Sequence, residues 1–268
     1  MNALTLGRWP GGRPFAVTFS YDDGREHDRR LIEIFNRHGM RATFNLNSGL
    51  LDAPGYVAAA EVASLYACHE VAVHTVTHPF PTRLPMTLAA AEVMEDRRAL
   101  EKLTGGVVDG MAYPYGDFNE DFKGVLRHCG IRYSRAVQND CFFRAGPTDW
   151  LDWRPTCHDR DADGKMLDAF FNVPAIVPPG RLLFIWGHSY EFDRPGGWEA
   201  IEALCAELVK RGGKEVWFAT NGEVCDYVTA VRGLRFSADH ARIVNNAAFD
   251  VWVDFNGVPT RIPPRGAL

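Results

Sequence analysis

Short apolar runs alternate with amphipathic segments along most of the chain, and this alternation restricts the fold more than any other feature of the sequence. The first run, residues 15–20, is apolar and β-branched, as expected of a strand buried on both faces. An amphipathic helix is predicted at residues 28–38, with Gly39 as its C-cap. Because strands that alternate with helices form parallel sheets, the pattern indicates an α/β fold.

Further strands and helices follow in the same alternation. The strands are predicted at residues 41–46, 71–73, 107–113, 131–137, 181–186 and 215–219, and the helices at 56–67, 87–103, 119–130, 165–172, 197–211 and 223–231. With residues 15–20 and 28–38 these make seven strand–helix units, which in a chain of 268 residues predict a (β/α)7-type barrel.

The pattern changes to period two after Gly233. Residues 251–257 carry a hairpin signal, and Asn256-Gly257 favours a type I′ turn. We therefore expect a barrel at residues 1–233 and a small C-terminal β-hairpin extension at residues 234–268 that packs on the barrel. Its role stays open, either completing the base of the barrel or forming a contact between copies of the chain.

Charge and hydropathy exclude several classes of function. A net charge of −5 and a pI of about 6.0 give no basic footprint for nucleic acid. Apolar stretches are too short to span a membrane, and residues 1–14 lack the apolar core of a signal peptide. The six cysteines form no C-x-x-C pair and are expected to be reduced thiols. We therefore expect a cytoplasmic protein with no nucleic-acid or membrane partner; a homo-oligomer stays open.

Chemically capable residues follow four of the predicted strands. These residues are Asp22 and Asp23, His74 and His78, Tyr115, and His188. Each cluster alone has a structural explanation, such as a helix cap, a tight turn or a packed histidine. Four clusters at the carboxyl ends of four strands are hard to explain by packing, and that edge is where barrels of this kind carry active sites.

The spacing of His74 and His78 suits a metal site. Imidazoles four residues apart can point to one side of a turn, and imidazole nitrogen is a good ligand for zinc. A catalytic zinc takes three protein ligands and keeps one open position. One of the two neighbouring aspartates is the expected third ligand, and the other is the expected base. His188 is a candidate proton donor because the pKa of histidine lies near working pH.

Two further segments combine aromatic residues with turn or acidic residues. Tyr113-Pro114-Tyr115-Gly116 can form a rigid turn that presents a backbone N–H and an aromatic wall, or simply a tight turn. Residues 149–153 (DWLDW) bind a sugar or merely pack. These residues lie in a long loop at residues 138–163 that lacks the periodicity of a helix or strand. His158 is an additional histidine in the same loop and a candidate for a fourth metal ligand.

In this order, the segments resemble the motifs of the polysaccharide deacetylase family (NodB-homology, carbohydrate esterase family 4). The first two family motifs, T-F-D-D-G and H-[ST]-x-x-H, are similar to residues 20–24 (SYDDG) and 74–78 (HTVTH). The third, R-x-P-Y-G, resembles residues 112–116 (AYPYG) without the arginine. The fourth and fifth, an acidic residue before Trp and L-x-H, resemble Asp152-Trp153 and, loosely, residues 186–188 (WGH). The family fold is a distorted barrel with fewer than eight units.

The resemblance implies a role for each matching residue. Asp23, His74 and His78 are the implied ligands of a divalent metal, usually zinc. Asp22 is the implied base, the Tyr115 N–H a donor to the oxyanion, and His188 the acid, with Asp152 orienting it. The remaining implied substrate-binding residues are Tyr113, Pro114 and Trp153.

One departure from the family concerns the base. The third-motif arginine is thought to hold the base carboxylate, and Ala112 stands at that position here. Arg144 or Arg154 of the long loop is the predicted substitute.

The function expected from this resemblance is metal-dependent hydrolysis of acetyl groups from an N-acetylated or O-acetylated carbohydrate, with an Asp base, a His acid and a metal-activated water. Two alternatives remain. One is an amidase of the same fold that acts on a small non-sugar amide. The other is a catalytically inert carbohydrate-binding protein.

Overall fold

The β-branched and aromatic runs of the sequence form strands, as their residue types favour. The computed structural model describes residues 4–172, 180–239 and 242–266. Within these ranges the strands are β1 (Leu4–Arg8), β2 (Phe15–Asp22), β3 (Thr43–Leu46), β4 (Glu70–Val73), β5 (Gly110–Ala112), β6 (Tyr133–Arg135), β7 (Cys157–His158), β8 (Arg181–Gly187), β9 (Val216–Ala219), β10 (Arg235–Phe236), β11 (Ile243–Val244), β12 (Val251–Phe255) and β13 (Val258–Ile262).

Helices follow most of these strands, and some of them begin at a residue whose side chain caps the first turn. In the same ranges they are α1 (Asp28–Arg37), α2 (Val62–Leu65), α3 (Met86–Thr104), α4 (Glu120–His128), α5 (Gly164–Phe171), α6 (Gly197–Gly212) and α7 (Asn221–Arg232). The Asn119 side chain accepts from the Phe122 N–H and caps α4. Thr220 caps α7, and its capping box with Glu223 satisfies two backbone donors.

Eight parallel strands form the main sheet of the described residues, in the order β6-β5-β4-β3-β2-β8-β7, with β9 also paired to β2. The central strand β2 pairs with β8 along Phe15–Tyr21. Its other edge pairs first with β9 and then, from Ser20 to Asp22, with β3. Because all these strands run in one direction, their carboxyl ends meet at one edge of the sheet.

The sheet curls into a half-barrel, so the predicted α/β barrel fold is confirmed in this open form. Successive side chains of β2 point to opposite faces. Val17 and Phe19 pack against α1, whereas Ala16 belongs to an apolar cluster with Trp153 and Phe184 on the inner face. Trp153 forms an isolated bridge to Arg135 beside the edge strand β6, and the indole fills the interior there.

A second sheet joins the two ends of the described chain. Strands β12 and β13 form the predicted hairpin, and Asn256 and Gly257 at its turn have φ values of 54° and 80°, as a type I′ turn requires. Strand β1 adds to β12 in antiparallel register. The residues of this sheet, such as Val251 and Val253, cluster with Leu234 just after α7.

Other predictions needed correction. The predicted helix at 56–67 reduces to the short helix α2 after a 3-10 turn at Ala59–Glu61. Strand β7 lies in the long segment that was predicted to lack secondary structure.

All six cysteines are free thiols, as expected. Within the described ranges, every helix is too short or too polar to span a lipid bilayer.

Candidate active site

A cavity of about 630 Å³ lies at the carboxyl edge of the parallel sheet. The loops after β2, β4, β5 and β8 reach it together because these strands run in the same direction. Seven of the predicted residues line it, namely Asp22, Asp23, His74, His78, Tyr113, Tyr115 and His188. The four polar clusters of the sequence therefore meet in one place.

Asp23, His74 and His78 present three ligand atoms at the spacing of a metal site. The Nε2 atoms of the two histidines are 3.2 Å apart, and Asp23 Oδ1 lies 3.6 Å from His74 Nε2 and 3.5 Å from His78 Nε2. Ligands held at zinc–ligand distances in a tetrahedron are about 3.3–3.4 Å apart. The three atoms thus form one face of a tetrahedron of the right size and leave a fourth position toward the cavity.

His74 is held from behind in the orientation that a ligand needs. Its Nδ1–H donates to the Ala112 carbonyl at 2.8 Å, which directs the Nε2 lone pair toward Asp23 and His78. Its backbone N–H donates to the buried carboxylate of Asp96 at 3.0 Å. Burial lowers the pKa of His74 and so favours the neutral imidazole that can bind a metal. The residues present fit a zinc ion.

Four residues of the site have left-handed backbone conformations. The φ values are 80° at Asp23, 68° at Thr75, 57° at His78 and 57° at Tyr115. Such values are uncommon outside glycine, and for the β-branched Thr75 they are exceptional. Strain of this kind persists only where the surrounding structure fixes it, and it concentrates at functional sites.

The candidate base Asp22 is buried, and each of its carboxylate oxygens accepts a hydrogen bond from a side chain. Its Oδ1 accepts from the Asn45 side-chain amide at 2.8 Å, and its Oδ2 accepts from the Arg135 guanidinium. Burial alone would raise the pKa of Asp22, but the charge of Arg135, helped by His74 and His188, holds it below its usual value. The carboxylate therefore stays ionised at neutral pH.

Arg135 corrects the prediction that Arg144 or Arg154 would hold the base. The Arg154 guanidinium pairs with Asp152 at 3.1 Å, and that of Arg144 lies over the Phe142 ring at 4.7 Å. Arg135 is fully buried in β6, directly across from Ala112 of β5 in the strand register. The small side chain of Ala112 leaves the space that the arginine occupies. An arginine inside the strand predicted at residues 131–137 was the sequence signal that could have identified it.

His188 approaches the same carboxylate oxygen of Asp22 as His74 does. Its Nε2 is 4.0 Å from Asp22 Oδ2, and its Nδ1 is 3.2 Å from Glu191 Oε1. Burial would lower the pKa of His188, but the hydrogen bond to Glu191 and the charges of Asp22 and Asp23 raise it above its ordinary value. The imidazolium form is therefore favoured in a position suited to a general acid.

Asp152 does not lie beside His188 as the fourth motif implies. Its carboxylate pairs with Arg154, and it lines a separate cavity of about 440 Å³ together with Trp153. Trp153 is 2% exposed and packs against Tyr133 and Phe184 in the core. A buried indole in this position cannot stack on a sugar in the active-site cavity.

The turn after β5 leaves the Tyr115 N–H out of its own hydrogen bonds, and only one of its two tyrosine rings is exposed. Its hydrogen bonds run from Gly116 N–H to Tyr113 O and from Asp117 N–H to Pro114 O, and neither uses the Tyr115 N–H. Tyr113 lines the cavity but is buried, and its hydroxyl donates to the Leu151 carbonyl. Pro114 is buried as well. The aromatic wall falls to the Tyr115 ring, which is 56% exposed and stacks on Phe80.

Several site residues were missed by the sequence analysis. Tyr56, Trp186 and Tyr190 line the same cavity. Tyr56 and Tyr190 belong to no motif, and Trp186 lies in the fifth-motif segment but was given no role. Trp186 also stacks on the Arg135 guanidinium at 4.7 Å. His158 lies beside Glu191 rather than with the metal-ligand triad, at 3.1 Å from Glu191 Oε2.

Many solved structures are similar to this fold, and three of them serve as examples. A Mycobacterium smegmatis protein assigned as a polysaccharide deacetylase is 18% identical, with a TM-score of 0.64 over 86% of this chain and 96% of that one. The peptidoglycan deacetylase PdaC from Bacillus subtilis is 18% identical, with a TM-score of 0.51 over 78% and 89%. A CE4 family pseudoenzyme from Bacillus anthracis is 18% identical, with a TM-score of 0.53 over 81% and 66%.

At these identities the likeness concerns the fold alone. The chain spans less than two thirds of the B. anthracis pseudoenzyme, and 61% of the Streptococcus pyogenes deacetylase PplD, whose TM-score of 0.46 is too low to support an argument. Among curated proteins, none matches the sequence.

A family profile gives the more specific result. The profile described as "Polysaccharide deacetylase" matches residues 11–134, which include the segments SYDDG, HTVTH and AYPYG. This match agrees with the motifs and with the half-barrel fold. The recognition of the polysaccharide deacetylase (NodB-homology, carbohydrate esterase family 4) motifs in the sequence is confirmed by this match over residues 11–134.

Proposed function

We propose that the protein is a metal-dependent hydrolase that removes acetyl groups from an N-acetylated or O-acetylated carbohydrate. The observation that carries this proposal is the 3.2–3.6 Å spacing of the three ligand atoms of Asp23, His74 and His78, next to an ionised Asp22. A family of deacetylases and a cavity with both an acid and a base in it support the same activity.

Zinc is the metal that suits one carboxylate and two imidazoles in this arrangement. Held there, it would lower the pKa of a coordinated water toward about 7 and polarise the acetyl carbonyl. The chain's own contribution is to keep His74 neutral and oriented through Ala112 and to bring Asp23 Oδ1 within 3.6 Å of both imidazole nitrogens.

Asp22 is proposed as the general base. Its Oδ2 lies 3.9 Å from His74 Nε2, so it borders the metal ligands without being one of the three. Asn45 and Arg135 occupy one acceptor site on each oxygen. A carboxylate has about four such sites, so acceptor capacity remains for the proton of an attacking water.

The Tyr115 N–H is proposed as a donor to the oxyanion. The left-handed φ of 57° at Tyr115 gives this turn its unusual form, and the N–H takes no part in the turn's own hydrogen bonds. A backbone donor aimed at developing negative charge is worth roughly 3 kcal/mol in comparable sites.

His188 is proposed as the general acid. Its Nε2 points toward Asp22, and its imidazolium form is favoured by the surrounding carboxylates. Donating the Nε2 proton to the departing nitrogen or oxygen would avoid expelling an unprotonated leaving group. The products would be acetate and the deacetylated sugar.

The open cavity and its aromatic residues support a sugar as the substrate. Tyr115, Tyr56, Trp186 and Tyr190 line it, and aromatic rings are suited to the apolar faces of sugars. The expected cytoplasmic location favours a small soluble sugar or oligosaccharide over a cell-wall polymer. This location, and any self-association of the chain, stay predictions.

The B. anthracis relative is described as a pseudoenzyme, which makes an inert carbohydrate-binding protein the most serious alternative. The presence of base, acid and three ligand residues in one cavity favours catalysis. Acetate release from acetylated chito-oligosaccharides and from acetylated xylan tests the proposal and separates N- from O-deacetylation. Release from neither, with release from a small non-sugar amide, would favour the amidase alternative.

A further inference from the structure

The turn after β8 brings an acidic side chain back onto the candidate acid. His188 is followed by a 3-10 turn at Ser189–Phe192, and the Glu191 N–H donates to the His188 carbonyl at 3.0 Å. The Glu191 carboxylate folds over the same turn, so that Oε1 lies 3.2 Å from His188 Nδ1. A carboxylate at this atom requires Nδ1 to carry a hydrogen and leaves Nε2 facing the cavity.

Glu191 is itself fixed from the other side. Its Oε2 lies 3.1 Å from His158 Nε2 and 3.2 Å from the Arg160 guanidinium. His158 in turn lies with Nδ1 2.9 Å from the buried carboxylate of Asp159. Two carboxylates beside one imidazole overcome its burial and raise the pKa of His158 to about 9. The Glu191 carboxylate is therefore held between two histidines and an arginine.

We propose that Glu191, anchored by His158 and Arg160, is the positioning residue for His188 in the reaction proposed above. It takes the part that the fourth-motif acid, Asp152, was expected to play. Asp152 is engaged with Arg154 and lines a different cavity. The catalytic role of Glu191 in this proposal rests on the proposed function. The contact between Glu191 and His188 does not depend on that function.

The same three side chains could alternatively hold a second metal ion. His158, His188 and Glu191 offer ligand atoms within 4.8 Å of one another. The Arg160 guanidinium argues against a cation there, because its Nε lies 3.1 Å from His158 Nδ1 and its Nη2 contacts Glu191. A positively charged group already occupies the position that a second metal would need.

The test compares Glu191→Gln and Glu191→Ala with the matched control Asp152→Asn, all in the 268-residue chain supplied with zinc. Glutamine keeps the size of the side chain but not its charge. We expect kcat for acetate release to fall about 10- to 100-fold in Glu191→Gln, and further in Glu191→Ala, with KM changed much less. Asp152→Asn should stay within about twofold of the wild type, because neutralising a partly exposed surface pair has little effect. His158→Asn should give an intermediate loss.

The second readout is the tautomer of His188, followed by long-range ¹H–¹⁵N NMR of the imidazole rings. We expect a protonated Nδ1 in the wild type and in Asp152→Asn, and a mixture of tautomers in Glu191→Ala. Wild-type kcat with an unchanged His188 ring spectrum in folded Glu191→Ala would overturn the proposal. So would two metal equivalents in the wild type and one in Glu191→Gln.

Failure of the proposed function would look different. If the wild type releases no acetate from any substrate, the proposed deacetylase function is wrong. The His188 tautomer alone then decides whether Glu191 positions that ring. A circular dichroism spectrum and melting temperature for each variant separate both outcomes from loss of the fold.

Discussion

Arg135 and Asp22 form a buried ion pair that joins the edge strand β6 to the central strand β2. Both side chains are almost fully excluded from solvent, and the guanidinium is also stacked on Trp186. Ala112, which stands where the family motif has its arginine, is the direct neighbour of Arg135 across the β5–β6 register. The positive charge beside Asp22 thus comes from strand β6 and not from the motif position in β5.

Removing this charge should change the acid limb of the pH–rate profile. Without Arg135, burial is left to raise the pKa of Asp22, so the base protonates at higher pH and activity is lost earlier on acidification. We expect the acid limb of kcat/KM to move up by about 1–3 pH units in Arg135→Met and by less in Arg135→Lys. Arg144→Ala and Arg154→Ala are the controls. An acid limb that moves in a control variant and not in Arg135→Met would contradict the assignment.

Restoring the family arginine should rescue the loss. In the double variant Arg135→Ala/Ala112→Arg, the new guanidinium starts from the neighbouring strand and can approach Asp22 through the space that Arg135 vacates. We expect the midpoint of the acid limb to lie about 1 pH unit or more lower than in Arg135→Ala. The comparison uses kcat/KM from pH 5 to 9. No difference between the single and double variants would mean that Arg135 acts through packing and not through its charge.

The basic limb should report His188. A general acid must be protonated, so activity falls as the pH rises through its pKa, and that pKa is raised above the ordinary histidine value. The midpoint of the basic limb of kcat/KM should therefore lie above about 6.5, the value of a free imidazole. His188→Gln should lower kcat by about 10²–10⁴ and abolish this limb. A basic limb that survives unchanged in His188→Gln would assign it to another group.

Asp28 gives a prediction about stability, away from the chemistry. It is fully buried, accepts hydrogen bonds from the Tyr66 and Ser189 hydroxyls, and burial raises its pKa to about 7. Its folded pKa is above its unfolded pKa, so the folded state binds the extra proton and stability falls as the pH rises between the two values. From pH 5 to pH 8 the wild type should lose about 2–3 kcal/mol of unfolding free energy that Asp28→Asn keeps.

Urea denaturation at the two pH values measures this difference. Both proteins carry the same other titrating groups, so the comparison isolates Asp28. Equal losses in the wild type and in Asp28→Asn would mean that this carboxyl is ionised in the folded protein at pH 5.

Local sequence patterns predicted most of the framework. Continuous apolar runs identified β2 and β8 because strands buried on both faces need them. Strand β7 was missed because two residues, Cys157 and His158, are too few to show a period. Strand β1 was missed because its partner is β12, about 250 residues away, and such pairing leaves no local signal.

In the candidate site, too, some residues could be predicted from local motifs and others could not. Asp22, Asp23, His74 and His78 follow strands within short motifs, so their proximity could be inferred from the parallel topology. Arg135 could not be assigned, because its partner is set by strand register and by the small size of Ala112. Asp152 and Trp153 matched a motif, but the Trp153 indole packs in the half-barrel interior and Asp152 pairs with Arg154. Neither residue therefore lies beside His188.

The central claim is that Asp23, His74 and His78 hold a metal on which acetate release depends. The most direct measurement is the metal content of the purified protein together with acetate release before chelation, after chelation and after zinc is returned. We predict one equivalent of bound metal, loss of activity on chelation and recovery with zinc, and none of these in His74→Ala/His78→Ala. Acetate release by a metal-free protein that chelators do not affect would contradict the account.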